Sequence, residues 1–477
     1  MKRWFIYIMA VGLISAFFGA IIFPTQSFAN YSTTNTINSN LTQDMKYSLY
    51  LPLILKNYPL VNIFGADVRD NLDKAQAAGL TWARGVGILW KDVEKTKGVY
   101  DWSAYTGLDS FLIEASQKNI NVIMIIQHAP TWAQKYSKAC GPIKSTELDS
   151  FANFMYAVVK KYSVPPYNVR YFQIWNEEDV PYDWAYDYYG IGCWGDPSLP
   201  FYGGEYYGEM LKRVYSKMKE ANPSVQVLTG GLLLDCDPRS SGDGYCPDKN
   251  WSKIWNFAEG VVKNGTFDIL SFHGYAYYQE GKNSVWSEKT RDKWYAHGGA
   301  VDGKLDYLRS LMNKYGVNKP IMLTEASIFY KNASYDEPTT SDYEEAKADY
   351  VPWVYANTWS QGLKATIWYS LKSLSPKLLD ANNNPRPAYY ALQTMTGILG
   401  QADYKSREDN LGYTKFVFTL GSHEIWLLIP TGEVAGTIYS IGKPTNFIKL
   451  VDLYGKDQPD PGNTISFSRP VYVFLSK

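Results

Sequence analysis

The 477-residue chain carries 47 basic and 47 acidic side chains, so it has no charged field to hold nucleic acid or to steer phosphates, and a neutral partner is expected. Its 45 % hydrophobic content is enough for a large core and excludes wholesale disorder. Aromatic residues reach 16 %, with 40 Tyr and 16 Trp, and flat rings with polar tips suit the faces of sugars.

The N-terminus reads as an export signal. Lys2 and Arg3 precede an apolar run over 4–23, and Ser27-Phe28-Ala29 supplies the small residues a signal peptidase reads, so residues 1–29 are expected to be removed and the protein secreted. The run is also long enough, at about 20 residues, to remain as a membrane anchor if uncleaved. No later stretch qualifies as a span, so the mature chain is expected to have none. Residues 30–58, rich in Ser, Thr and Asn, read as a linker and N-terminal extension.

From residue 59 short β-branched runs alternate with longer helical periodicities. Strands are expected at 61–66, 81–85, 122–127, 170–175, 226–230, 267–273, 321–325 and 365–369, most of them near-continuous apolar runs of the kind that parallel strands buried on both faces require. Between the third and fourth, Leu148, Phe151, Met155, Val158, Val159 and Tyr162 recur at helical spacing. Between the fourth and fifth, Tyr207, Met210, Leu211, Val214 and Met218 do the same before Asn222-Pro223 stops the helix. Asn264-Gly265, Tyr315-Gly316 and Gln361-Gly362 close three later helices. Eight β-then-α units in one run predict an α/β fold, a (β/α)₈ TIM barrel over 59–400, with its active site at the carboxyl ends of the strands. A doubly wound sheet would want a Gly-rich phosphate turn, and Asp67-Val68-Arg69-Asp70 stands there instead. Past residue 400 short runs broken by Gly, Pro and Asn predict a small C-terminal β-sandwich domain over 401–477, packed on the barrel.

Four cysteines form an even set that an oxidising compartment would pair, in one of three connectivities. Cys236 and Cys246 flank a loop rich in Gly, Ser and Asp and are the preferred pair, which leaves Cys140 to join Cys193. No Cys-x-x-Cys and no histidine pair at ligand spacing occurs, so neither a metal nor a cofactor is expected.

Two strands end in glutamate. The fourth finishes Phe172-Gln173-Ile174-Trp175-Asn176-Glu177 and the seventh Met322-Leu323-Thr324-Glu325. A carboxylate closing an apolar strand is costly without a purpose, and two on opposite sides of one barrel mouth would face each other. Glycoside cleavage needs such a pair, one carboxyl protonated to give a proton to the leaving oxygen and one ionised to attack or to activate water. His128, ending the third strand, is a candidate sugar contact or a buried barrel histidine. The aromatic segment after the fourth strand, with Tyr182, Trp184, Tyr186, Tyr188, Tyr189, Trp194, Phe201, Tyr202, Tyr206 and Tyr207, can roof a cleft or close a pocket.

Trp175-Asn176-Glu177 and Thr324-Glu325 resemble the paired motifs of clan A of the glycoside hydrolases, and Trp90-Lys91-Asp92-Val93-Glu94 with Gly98-Val99-Tyr100-Asp101-Trp102 looks like the segment after the second strand in families 5 and 39. The resemblance implies retaining hydrolysis of a carbohydrate through a covalent glycosyl-enzyme, with Glu177 as acid/base and Glu325 as nucleophile. It also implies that Arg84 sits beside the nucleophile, that Asn176 binds a sugar hydroxyl, that Tyr275 of His273-Gly274-Tyr275 bonds to the nucleophile, and that Trp368 floors the subsite where cleavage occurs. Glu178 departs from the pattern, since many relatives have proline there. Adjacent strand residues point to opposite faces, so only one of Glu177 and Glu178 can enter the mouth. An exo-acting β-xylosidase-like enzyme and a non-catalytic carbohydrate-binding barrel are the rival readings, and the intact pair of glutamates argues against the latter.

Overall fold

The structure, a computed structural model, describes residues 62–183, 190–235, 237, 239, 256–279, 285–288, 294–330, 340–373 and 375–477. The export signal, the linker, Cys236, Cys246 and the rings of Trp184, Tyr186, Tyr188 and Tyr189 lie outside them.

Among the described residues eight strands alternate with eight principal helices. The strands are β1 (Phe64–Asp67), β2 (Trp82–Arg84), β3 (Asn121–Gln127), β4 (Tyr171–Ile174), β5 (Gln226–Leu228), β6 (Leu270–Gln279), β7 (Ile321–Phe329) and β8 (Thr366–Trp368). The helices that follow them in turn are α1 (Leu72–Ala77), α2 (Thr106–Gln117), α3 (Leu148–Tyr162), α4 (Gly204–Ala221), α5 (Asn256–Asn264), α6 (Asp302–Lys314), α7 (Ser341–Ser360) and α8 (Pro387–Leu399). All strand pairs in the order β5-β4-β3-β2-β1-β8-β7-β6 are parallel. The first and last of that order also meet, through parallel bridges Leu228↔Ile269 and Leu232↔Phe272. Two short strands lie outside the scheme: Gly87–Leu89 adds in parallel to β3, and Val285–Ser287 pairs antiparallel with the far end of β6.

The burial explains the apolar runs. Trp82, Ile123, Leu228, Ile269, Met322, Ala365 and Ile367 point inward from β2, β3, β5, the approach to β6, β7 and β8 and make one small cluster, while the alternate residues pack outward on the helices. Each strand therefore meets protein on both faces. α3 turns Leu148, Phe151, Met155, Val158, Val159 and Tyr162 to the sheet, and α4 turns Tyr207, Met210, Leu211, Val214 and Met218. Gly316 and Gly362, at φ +66° and +73°, take the left-handed conformation that ends α6 and α7.

The C-terminal part is antiparallel. A six-stranded sheet runs in the order β9 (Asp403–Asn410), β10 (Tyr413–Leu420), β11 (His423–Pro430), β16 (Val471–Ser476), β13 (Phe447–Asp452), β14 (Asp457–Gln458), and β12 (Tyr439–Gly442) pairs separately with β15 (Thr464–Phe467). The small sheet covers one face of the large one through Ile465, Phe467, Leu428, Leu450 and Val473. The other face packs on α7, where Phe416 meets Trp353, Phe418 meets Trp359, and Arg469 pairs with Asp349 at 2.8 Å. No helix among the described residues is long and apolar enough to cross a membrane.

Candidate active site

At the carboxyl ends of the strands one guanidinium organises the centre. Arg84, the last residue of β2, is 1 % exposed and gives Nε to Gln173 Oε1 at 2.9 Å, one terminal nitrogen to Glu325 Oε1 at 2.6 Å and the other to Asn176 Oδ1 at 2.5 Å. Gln173 in turn donates to the carbonyls of Trp175 and Gly230, both at 2.9 Å. Every group around the charge is thus bonded, as a buried cation requires. Gln173 escaped the sequence reading because an amide inside an apolar strand carries no signal until its partner is known.

Glu325 owes its direction to a bulge. The β6–β7 register shifts between Phe272 and His273, pairing Phe272 with Leu323 but His273 with Glu325, so Thr324 is the extra residue and both it and Glu325 turn inward. Glu325 is 6 % exposed and also accepts the Tyr275 hydroxyl. Burial alone would push its carboxyl up, but His273, Arg84 and the Tyr275 bond outweigh burial and hold it below the ordinary carboxylate value.

Glu177 arrives by a different route. After β4 the chain leaves the extended region, with Trp175 at φ +73° and Glu177 at φ +48°, conformations that cost non-glycine residues about 1–3 kcal/mol each and persist where surroundings impose them. Trp175 N bonds to Ile126 O at 2.8 Å and Glu177 N to Gly230 O at 3.1 Å, which fixes the turn. His273 Nδ1 stands 2.9 Å from Glu177 Oε1 and 3.5 Å from Glu325 Oε2, so a single ring nitrogen lies between the two carboxyl groups. One ligand-type atom from each of Glu177, His273 and Glu325 lies within 4.8 Å of the others. A divalent ion could in principle take that donor set, but the Arg84 guanidinium already on Glu325 would repel it.

Glu178 turns the other way. It is fully buried beneath the neighbouring strand and accepts Gly230 N at 3.1 Å, while Asp179 accepts Leu233 N and Leu234 N at 2.8 and 2.7 Å. Burial, with Asp179 beside it, pushes the Glu178 carboxyl well above the usual range. The native state therefore keeps its proton where the unfolded chain has lost it, and the stability that Glu178 contributes is lost as pH rises past the ordinary carboxylate value, about 4.3. Glu178→Gln is expected to keep kcat close to wild type and to gain in Tm relative to it as pH is raised, by thermal melts from pH 4 to 8. A Tm gap that does not change with pH would show that Glu178 is ionised in the fold.

Two expectations are corrected, those for Trp368 and for the aromatic segment. Trp368 is no subsite floor: it is fully buried on the outer side of β8, its ring 6.1 Å from Tyr350 of α7, because Ile367 takes the inward position and neighbours alternate. The next residue, Tyr369, faces the centre instead, its ring 6.2 Å from that of Tyr275. His128 is 1 % exposed, with Nε2 3.5 Å from Ile191 O in the adjoining loop. In the aromatic segment after β4, Trp194, Tyr202 and Tyr207 are core residues, Trp194 packing edge-on against Trp175 and Tyr207. Asp67, ending β1, is a further carboxyl at this end of the sheet; it is buried and pairs with Arg69 at 3.1 Å. Its strand-terminal position is the same signal that picked out the two glutamates.

Cys140 and Cys193 are bonded, and the bridge bears on the site. Gly192 N donates to Asn176 O at 2.5 Å, Trp175 Nε1 to Cys140 O at 2.8 Å, and the Asn176 amide to Gly190 O. One hydrogen of the Asn176 amide is thus committed to the Gly190 carbonyl.

Solved structures of glycoside hydrolases share this fold. A family 39 glycoside hydrolase from Bacteroides cellulosilyticus is similar with TM-score 0.63 at 18 % identity, over 87 % of this chain and 81 % of that one. A family 30 subfamily 8 xylanase from Clostridium acetobutylicum matches with TM-score 0.53 at 14 % identity, over 87 % and 96 %. A family 44 xyloglucanase from Paenibacillus polymyxa matches with TM-score 0.53 at 11 % identity, over 87 % and 96 %. No protein-family model and no curated protein matches the sequence.

Proposed function

We propose that the chain is a secreted retaining β-glycosidase whose catalytic domain, about 59–400, is a closed (β/α)₈ barrel followed by a β-sandwich over 401–477. Closure is supported by the bridges that join β5 to the β6 segment, and export by the Cys140–Cys193 bond. The observation that carries the activity is the approach of Glu177 and Glu325 to within 4.8 Å around His273, with Arg84 and Tyr275 on Glu325 alone. Retaining enzymes hold their carboxyls about 5–5.5 Å apart and inverting ones about 6.5–9.5 Å, to admit a water between.

The two carboxyls differ in company, and that sets their roles. Glu325, kept ionised, attacks the anomeric carbon as Glu177 gives its proton to the departing glycosidic oxygen, leaving the sugar esterified to Glu325. Glu177, now a base, takes a proton from water; the water oxygen bonds to the same carbon and Glu325 leaves as carboxylate. The second hydrogen of the Asn176 amide is placed for a sugar hydroxyl. Neighbours named for xylan and xyloglucan point to a β-linked glycan. Proton NMR of the first sugar released from an aryl β-glycoside, in buffer with a chelator, should show the β-anomer before mutarotation. The α-anomer first would mean inversion and would end the covalent reading.

A further inference from the structure

β6 and β7 do not stop at the site. Beyond the His273↔Glu325 pair they stay in register through Tyr275↔Ser327 and Tyr277↔Phe329, and Val285–Ser287 widens this projection into a third strand. One face of it is covered: Tyr278 packs edge-on against Tyr343 of α7, whose hydroxyl bonds to Ile328 O. Alternation then puts Tyr275, Tyr277, Ser327 and Phe329 on the opposite face, the one that carries His273 and Glu325. There the rings step away from the nucleophile. Tyr275 and Phe329 have centroids 4.4 Å apart, and Phe329 and Tyr277 6.4 Å.

These three rings are partly exposed, whereas Tyr278 on the covered face is 6 % exposed. The Ser327 hydroxyl on the same strip is buried and has no hydrogen-bond partner among the described residues. A row of half-wet rings beginning at a catalytic carboxylate offers flat apolar surface to the C–H faces of a sugar ring.

We infer that Tyr275, Phe329 and Tyr277 form a stacking ledge for the sugar unit adjoining the one cleaved, so that the substrate is an oligo- or polysaccharide lying along the β6–β7 projection. This rests on the glycosidase reading and adds the length and path of the substrate. The test compares kcat/KM of wild type, Phe329→Ala and Tyr277→Ala on an aryl β-monoglycoside and on the aryl glycoside of the matching trisaccharide. Wild type is expected to favour the trisaccharide. Each alanine variant should lose about tenfold more on the trisaccharide than on the monoglycoside, the scale of one well-stacked ring, with the loss mostly in KM. Phe329→Trp should restore the preference, and Phe329→Leu covers the case in which Phe329→Ala does not fold. Equal losses on both substrates, or a wild type indifferent to length, overturn the ledge while leaving the site. A wild type that cleaves neither overturns the glycosidase reading and the ledge with it.

Discussion

Glu325→Ala is expected to lower kcat by about 10⁴-fold or more on every substrate, because a covalent step has no partial substitute when its nucleophile is gone. The variant should nevertheless fold: removing the carboxylate leaves Arg84 bonded to Gln173 and Asn176. Azide, a small anion able to occupy the vacated space beside Arg84, should restore turnover on aryl β-glycosides with good leaving groups. It attacks from the face Glu325 used, so the product should be the α-glycosyl azide, identifiable by NMR. A β-azide would mean that Glu325 does not stand on the nucleophile's face. In wild type the same arrangement predicts the pH profile. A carboxyl held below its ordinary value stays ionised into acid, so the acidic limb of kcat/KM should fall below about pH 4.3, the ordinary glutamate value.

Glu177→Gln should cost about 10²–10⁴-fold on substrates whose leaving group is another sugar, the usual worth of a placed general acid. On a dinitrophenyl glycoside, whose leaving group departs without a proton, the first step should be nearly spared. The second still needs a base, so the glycosyl-enzyme should accumulate and appear as a burst of phenolate followed by slow turnover. The basic limb of the wild-type profile should vanish. Equal losses on the two kinds of substrate would assign Glu177 to structure. Set against Glu178→Gln, one residue away on the opposite face, the comparison separates a group in the mouth from a group in the wall.

Strands buried on both faces write themselves as apolar runs, so the eight strands were legible, and a carboxylate at the end of such a run stands out because nothing in packing calls for it. Glu177 and Glu325 were singled out that way. What stayed hidden depends on parity and pairing. The bulge at Thr324 that turns Glu325 inward leaves no mark on one strand read alone. A single-residue error in facing exchanged Tyr369 for Trp368. β9, reading Asp-Tyr-Lys-Ser-Arg-Glu-Asp-Asn, has no apolar pattern, and is a strand only because β10 pairs with it along most of its length. The aromatic segment after β4 divides between core and rim according to contacts with α4 and Trp175, which composition does not encode.

The bond between Cys140 and Cys193 spans 53 positions, and by loop-closure entropy it withholds about 4 kcal/mol of freedom from the unfolded chain. Its second effect is local, since Cys193 N also bonds to Cys140 O at 2.9 Å and the adjoining glycines hold the backbone and side chain of Asn176. Oxidation therefore fastens the pocket wall. A chain kept among reducing thiols would keep the carboxyl pair yet hold Asn176 by hydrogen bonds alone.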